Sequence, residues 1–202
     1  PDPDDARLRA QHLQSTARQS TGRVAQLVRN VCGLQAQDAF AAVLAVWVRS
    51  RGLVADQVEQ ARVEERSVVR TWCMRGTLHL LASEDLGWLL PLLGPVFVRK
   101  SRRRYTQLGL TEDIGTQAVR AIGDILHNRG PLTRAELAAH LSDRGIPTEG
   151  QAAYHLLRRA GLEGVLCFGP DRDGQPTYVA LSDWAEVGRA MELDAARAEL
   201  AR

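Results

Sequence analysis

The stretch from Thr111 to Leu181 constrains the fold more than any other part of the sequence. Thr111, followed by Glu112 and Asp113, opens a helix on which Val119, Ile122, Ile125 and Leu126 recur at helical spacing, and Gly130-Pro131 closes it. "TRAE", Thr133 to Glu136, is a capping box: a threonine hydroxyl and a glutamate three residues on satisfy each other's backbone N–H groups, so a second helix starts there. After the "RGIPTEG" turn a third helix is expected from about Gly150 to Ala160, stopped by Gly161. "GVLCFGPDRDGQPTYVAL" then reads as two strands around a Gly/Pro/Asp turn. Helix, helix, helix, hairpin is the winged-helix order, in which the third helix is the usual recognition helix on DNA. Its outward side carries Gln151, His155 and Arg158, with Arg159 adjacent, and its inward side Ala153, Leu156, Leu157 and Ala160.

The first half repeats this order without letter-by-letter identity. Val24, Leu27, Val28 and Val31, and then Phe40, Val43, Leu44, Trp47 and Val48, form two apolar stripes at helical spacing, with Gly33 at the joint between them. "SVVRTWCMRGTLHLL" is rich in β-branched and aromatic residues around Arg75-Gly76, as two short strands and a turn would be. Ser83, ahead of Glu84 and Asp85, is expected to cap a further short helix. The expected fold is therefore mainly α with short β-hairpins (α+β), built as tandem winged helix-turn-helix domains: a first over 6–98, a basic linker over 99–110, and a second over 111–190. The polar tail after Trp184 reads as a helix, its 191–202 portion leading toward a further segment.

With 202 residues, 45% of them hydrophobic, the chain can bury one sizeable core or two small ones. No apolar run is long enough to span a bilayer, and no signal-peptide pattern opens the chain. Cys32, Cys73 and Cys167 are odd in number and lack metal-ligand spacing, which excludes a disulfide framework and a zinc site and suits a cytoplasmic protein with no metal and no cofactor. The net charge of +2 says little about nucleic acid, but five of the six residues in "RKSRRR", Arg99, Lys100, Arg102, Arg103 and Arg104, are cationic. Such a cluster suits phosphate contact, and it equally suits a solvated linker.

"GLQAQD", residues 33–38, places two glutamines one residue apart. On an ideal helix Gln35 and Gln37 would diverge by about 200°, whereas an extended chain puts both on one side. Composition alone would make them helix-end residues. Together with "AVWVRSR" (45–51), "VRTWCMRGTLHLL" (69–81) and "LCFGPDRDGQPTYVAL" (166–181), however, they resemble the winged-helix DNA glycosylases of the AlkZ type, from Arg7 to about Arg202. The resemblance implies tandem winged helices, hydrolysis of the N-glycosidic bond of an alkylated purine, a link to azinomycin resistance and interstrand crosslink unhooking, and double-stranded DNA as partner. The family's motif, Gln, a variable residue, then Gln or an acid, falls on Gln35, Ala36 and Gln37. Members usually continue into a further winged-helix segment.

The chemistry fits neutral amides. A purine alkylated at N7 is already cationic and leaves without protonation, so what remains is to place a water against an oxocarbenium-like sugar. Carbonyl oxygens of Gln35 and Gln37 would accept from that water, with little pH dependence near neutrality. Asp38 is either a base or stabiliser in the site or an acid in the first turn of the next helix. Arg75, Thr77 and His79 share one side of the first hairpin and either approach DNA or pack on a neighbour. Trp72 is a stacking platform or core. Schiff-base chemistry would need Lys100 or an N-terminal amine such as that of Pro1, so a monofunctional enzyme is expected; nothing in the sequence demands a dimer, and a monomer is expected. The shortage of aromatics points to an open groove without an aromatic cage. The competing class is a non-catalytic winged-helix DNA-binding protein or transcriptional regulator; the third is an interaction module without DNA affinity.

Overall fold

The computed structural model describes residues 2–19 and 22–201; Pro1, with its candidate amine, and Arg202, the end of the expected tail helix, lie outside the described residues. The chain is a mixed α/β protein with eleven α-helices and two small antiparallel sheets among those residues. After α1 (Pro3–Ala10), the first unit runs α2 (Val24–Asn30), β1 (Leu34–Gln35), α3 (Ala39–Trp47), α4 (Ala55–Val63), β2 (Val68–Trp72) and β3 (Leu78–Ala82). Helices α5 (Ser83–Lys100) and α6 (Arg102–Gln107) follow. The second unit repeats the order as α7 (Glu112–Arg129), β4 (Leu132–Thr133), α8 (Arg134–Ser142), α9 (Ala152–Leu162), β5 (Leu166–Phe168) and β6 (Thr177–Ala180), before α10 (Leu181–Trp184) and α11 (Leu193–Leu200). Both sheets place the last strand in the middle, in the orders β1-β3-β2 and β4-β6-β5.

Local signals explain much of the second unit. Thr111 Oγ1 accepts the N–H of Ile114, Gly130 ends α7 at φ +75°, and the Thr133–Glu136 capping box forms as written in the sequence. Four expectations change. Gly161 does not stop α9 but lies inside it, where an added Cβ would come within 2.5 Å of the Trp72 ring, so glycine serves a close approach and not a terminus. Ser83 is not a cap: Ala82 holds that position and the Ser83 hydroxyl donates to the carbonyl of Ser67. The helix it opens is 18 residues long and runs through Pro91 and Pro95 into the basic run, so residues 99–107 are largely helical. The tail turns helical only at Leu193; ahead of it Gly188 crosses the first turn of α5 so closely that an added Cβ would meet the Glu84 carbonyl oxygen at 1.9 Å.

The fourth change concerns α3. Ala42 and Val46 face the core, while Phe40, Leu44 and Trp47, expected inside, are 71, 42 and 58% exposed. The segment "AFAAVLAVW" is apolar all round, so periodicity cannot choose its buried face. The smaller alanine-rich face packs closely against β1 and α4 and leaves the bulky side chains outside.

Trp72 belongs to the core. It is 2% exposed and reaches out of β2 into the second unit, 5.2 Å from the Phe168 ring and stacked on Tyr178 at 6.2 Å. Val69, Leu81 and Leu89 from the first unit and α5 share a cluster with Cys167 and Val179 of the second. The two units are thus joined by apolar packing across β2, α5 and α9, which fixes the first hairpin relative to its neighbours.

Candidate active site

The site is built on the joint between α2 and α3. Gly33 turns the chain at φ +103° under Leu81, where any Cβ would lie 2.6 Å from a leucine methyl. The chain then extends: Leu34 pairs with Leu80, Gln35 pairs with His79, and the Ala36 N–H donates to the Leu78 carbonyl at 2.8 Å. Strand alternation buries Leu34 and Ala36 and exposes Gln35 and Gln37 on the same side.

Both amides are oriented. Arg75 Nη2 donates to Gln35 Oε1 at 2.6 Å, and the Leu78 backbone N–H donates to Gln37 Oε1 at 2.7 Å. Since each partner is a donor, the contacting atom of each glutamine is its oxygen. One lone pair of each carbonyl stays open, and among the described residues neither Nε2 has a protein partner. Arg75 itself is exposed and sits at φ +58°, left-handed backbone that a side chain rarely adopts and that costs on the order of 1 kcal/mol.

Asp38 caps α3: its Oδ1 accepts the Ala41 N–H at 2.8 Å, and the residue stays exposed. Arg70, which no local sequence pattern marks, donates through Nε to the Ala36 carbonyl at 3.0 Å and through Nη2 to the Gln37 carbonyl at 3.2 Å. Its partners lie more than thirty residues away, so no local pattern reveals them. Thr77 is half-buried and its hydroxyl donates to the Met74 carbonyl. His79 is 3% exposed, with Nδ1 3.0 Å from the Thr77 carbonyl. Burial, then the nearby Arg75, holds the imidazole below the usual histidine range. His79 therefore fills the sheet between Gln35 and Thr71 and does not reach the surface.

The remaining candidates separate into two groups. Arg99, Lys100, Arg102 and Arg103 are exposed along α5 and α6, with Lys100 Nζ 5.5 Å from the Phe97 ring centre, and Arg104 donates to Gln151 Oε1 at 2.6 Å. On the expected outward side of α9, Gln151 is exposed, whereas the side chains after it make contacts within the protein. Arg158 donates to the Gly76 carbonyl at 3.0 Å and to the Ser101 hydroxyl at 2.8 Å. Arg159 is 5% exposed and paired with Glu112 and Glu163. His155 packs edge-on to Tyr105 and Tyr154, and burial, then Arg158 and Arg104, holds it low. Helix α9 packs against α5, α7 and β2, with Arg159 buried and Arg158 and His155 half-buried. Periodicity assigned the amphipathic face correctly but could not see that α5 and β2 cover the other side.

Burial pushes the Cys73 and Cys167 thiols up to about 12, far from reactive thiolates. Among the described residues no helix is long and apolar enough to cross a membrane, and no group of three or more His, Cys, Asp or Glu could hold a metal ion.

The profile of the family described as DNA glycosylase AlkZ-like matches residues 28–202. An interstrand DNA cross-link repair glycosylase from Streptomyces sahachiroi is 30% identical over 199 residues, covering 94% of this chain and 52% of the relative. The solved structure of the Streptomyces sahachiroi DNA glycosylase AlkZ superposes with a TM-score of 0.73 at 28% identity, again over 94% of this chain and 52% of that one. The chain thus spans about half the length of the relatives it matches.

Proposed function

From the premise that the chain belongs to the AlkZ-like family of DNA glycosylases, we propose that it hydrolyses the N-glycosidic bond of N7-alkylated purines in double-stranded DNA. The observation that carries this reading is the pair of exposed amides, Gln35 and Gln37, held side by side on extended chain and oriented by Arg75 and Leu78. The open lone pair on each carbonyl accepts one hydrogen of a water, which leaves the water's own lone pair directed at the anomeric carbon. The cationic base leaves with the bonding pair and needs no proton, the amides do not titrate, and the proton shed by the attacking water passes to solvent at the exposed site. Exposed Arg75 retains donors for a phosphate beside the lesion, and Arg99, Lys100, Arg102, Arg103 and Arg104 extend that cationic surface.

In this reading the two helix–strand–helix–helix–strand–strand repeats are winged helices, over 6–98 and 111–190, joined by the helical basic segment. Both amides stand in the open, which favours a groove suited to bulky adducts over an aromatic cage. The enzyme is a cytoplasmic, monofunctional monomer that unhooks crosslinks in repair or in self-resistance to a genotoxin. A regulator that reads bases through its third helix is disfavoured by the packing of α9. The test is release of N7-alkylguanine from a duplex by the protein, with Gln35→Ala and Gln37→Ala as controls that still fold and bind. Release by the wild type and loss in both variants is expected; a DNA-binding wild type that releases no base from any alkylated purine would overturn the reading.

A further inference from the structure

Arg70 stands opposite Leu80 in β2, on the face that carries Leu34, with its guanidinium directed at the backbone of the glutamine motif. Its two donated bonds go to consecutive carbonyls, Ala36 at 3.0 Å and Gln37 at 3.2 Å. The Gln37 carbonyl belongs to the residue just before the α3 cap, where the chain must leave the strand and enter the helix within one residue. A planar fork that binds two successive carbonyls fixes the torsions between them, and those torsions decide whether Gln35 and Gln37 stay on one side. The guanidinium also lies 4.8 Å over the Phe168 ring of β5, so the second unit holds the arginine from behind. Because Phe168 in turn packs on Trp72 and Tyr178, the core of the second unit sets the position of a motif in the first.

We propose that Arg70 is the positioning residue of the site: through the Ala36 and Gln37 carbonyls it locks the extended motif, and through Phe168 it couples that motif to the second unit. The proposal rests on the glycosylase reading for its effect on rate and on the geometry alone for its effect on the backbone. Arg70 touches no substrate in this scheme, so its loss lowers kcat and leaves duplex affinity alone.

The experiment compares wild type, Arg70→Lys, Arg70→Gln and Phe168→Leu by single-turnover release of N7-alkylguanine, duplex affinity, thermal unfolding and amide hydrogen exchange over residues 34–38. Arg70→Gln is expected to release base at least about 100-fold more slowly with duplex affinity within about threefold. Arg70→Lys, which keeps the charge but cannot hold two carbonyls, and Phe168→Leu, which removes the ring, fall between. Added guanidinium restores part of the Arg70→Gln rate. Faster exchange over 34–38 accompanies each rate loss. Should Arg70→Gln fail to fold, Arg70→Lys and Phe168→Leu carry the same comparison. Unchanged exchange and unchanged kcat in folded variants overturn the proposal. If the wild type releases no base, the glycosylase reading fails for that lesion, and exchange over 34–38 still decides the role of Arg70: faster exchange upholds it, and unchanged exchange refutes it.

Discussion

Gln37 completes the first sheet with its side chain: its Oε1 takes the Leu78 N–H at 2.7 Å, just beyond the last backbone pair of β1 with β3. The side chain is therefore both a ladder partner and a presented amide. Gln37→Glu preserves an acceptor for Leu78, so it is expected to keep its melting temperature and to retain base release within about tenfold, with a new loss of rate at acid pH as the carboxyl, held low by the Leu78 N–H, takes up a proton. Gln37→Leu removes the acceptor and the water contact together, and release should fall by roughly 100-fold or more. Rates from pH 4 to 8 for the three proteins check this; equal rates in all three would remove Gln37 from the chemistry.

The arginines of α6 and α9 should respond differently to the same change. Arg102→Gln and Arg103→Gln remove exposed cations, so duplex binding weakens alike across sequences and the slope of log K against log salt drops by about one per contact, with stability unchanged. Arg159→Gln strands Glu112 and Glu163 beside a buried site. It is expected to destabilise the fold by roughly 2–3 kcal/mol, moderated by the exposure of the carboxylates. Salt titrations beside thermal melts separate the two behaviours.

Gly161→Ala decides whether helix propensity or packing governs α9. An alanine inside a helix is normally favoured by about 0.5–1 kcal/mol. Here the added methyl would lie 2.5 Å from Trp72 Cε3 and 3.3 Å from Thr71 Oγ1. Overpacking of about 1–3 kcal/mol outweighs the propensity, so the melting temperature falls. A rise would mean that the joint between the units gives way easily.

Stability should decline on mild acidification. His79 and His155 are both held below their ordinary value of 6.5 by burial. The unfolded chain takes up these protons before the folded one, so the contribution is complete above 6.5 and is lost as pH falls toward the lower folded values. Glu136 and Asp183, lowered from 4.5 and 3.8, act only at more acid pH. Melting temperatures between pH 7 and 5 should therefore fall, and His79→Gln should flatten that slope while leaving the drop below pH 4.5 in place.

Local signals in the chain set the helix starts at Thr111 and Thr133 and both hairpins, because caps, turns and strand alternation are governed by residues a few positions apart; for Gln35 and Gln37 the sequence left helix end and extended chain open, and the pairing of β1 with β3 settles it as extended. Which face of α3 is buried depends on packing against β1 and α4, since a helix apolar on every side offers periodicity no choice. The fate of the charged side chains was equally non-local. Arg158 ends on Gly76, 82 residues away, Arg159 on Glu112, 47 residues away, and Arg70 on Ala36, 34 residues away. A cation on an amphipathic helix or strand has the same local signature whether it meets a phosphate, a carboxylate or a carbonyl. The packing of the two units against each other determines which of these it reaches.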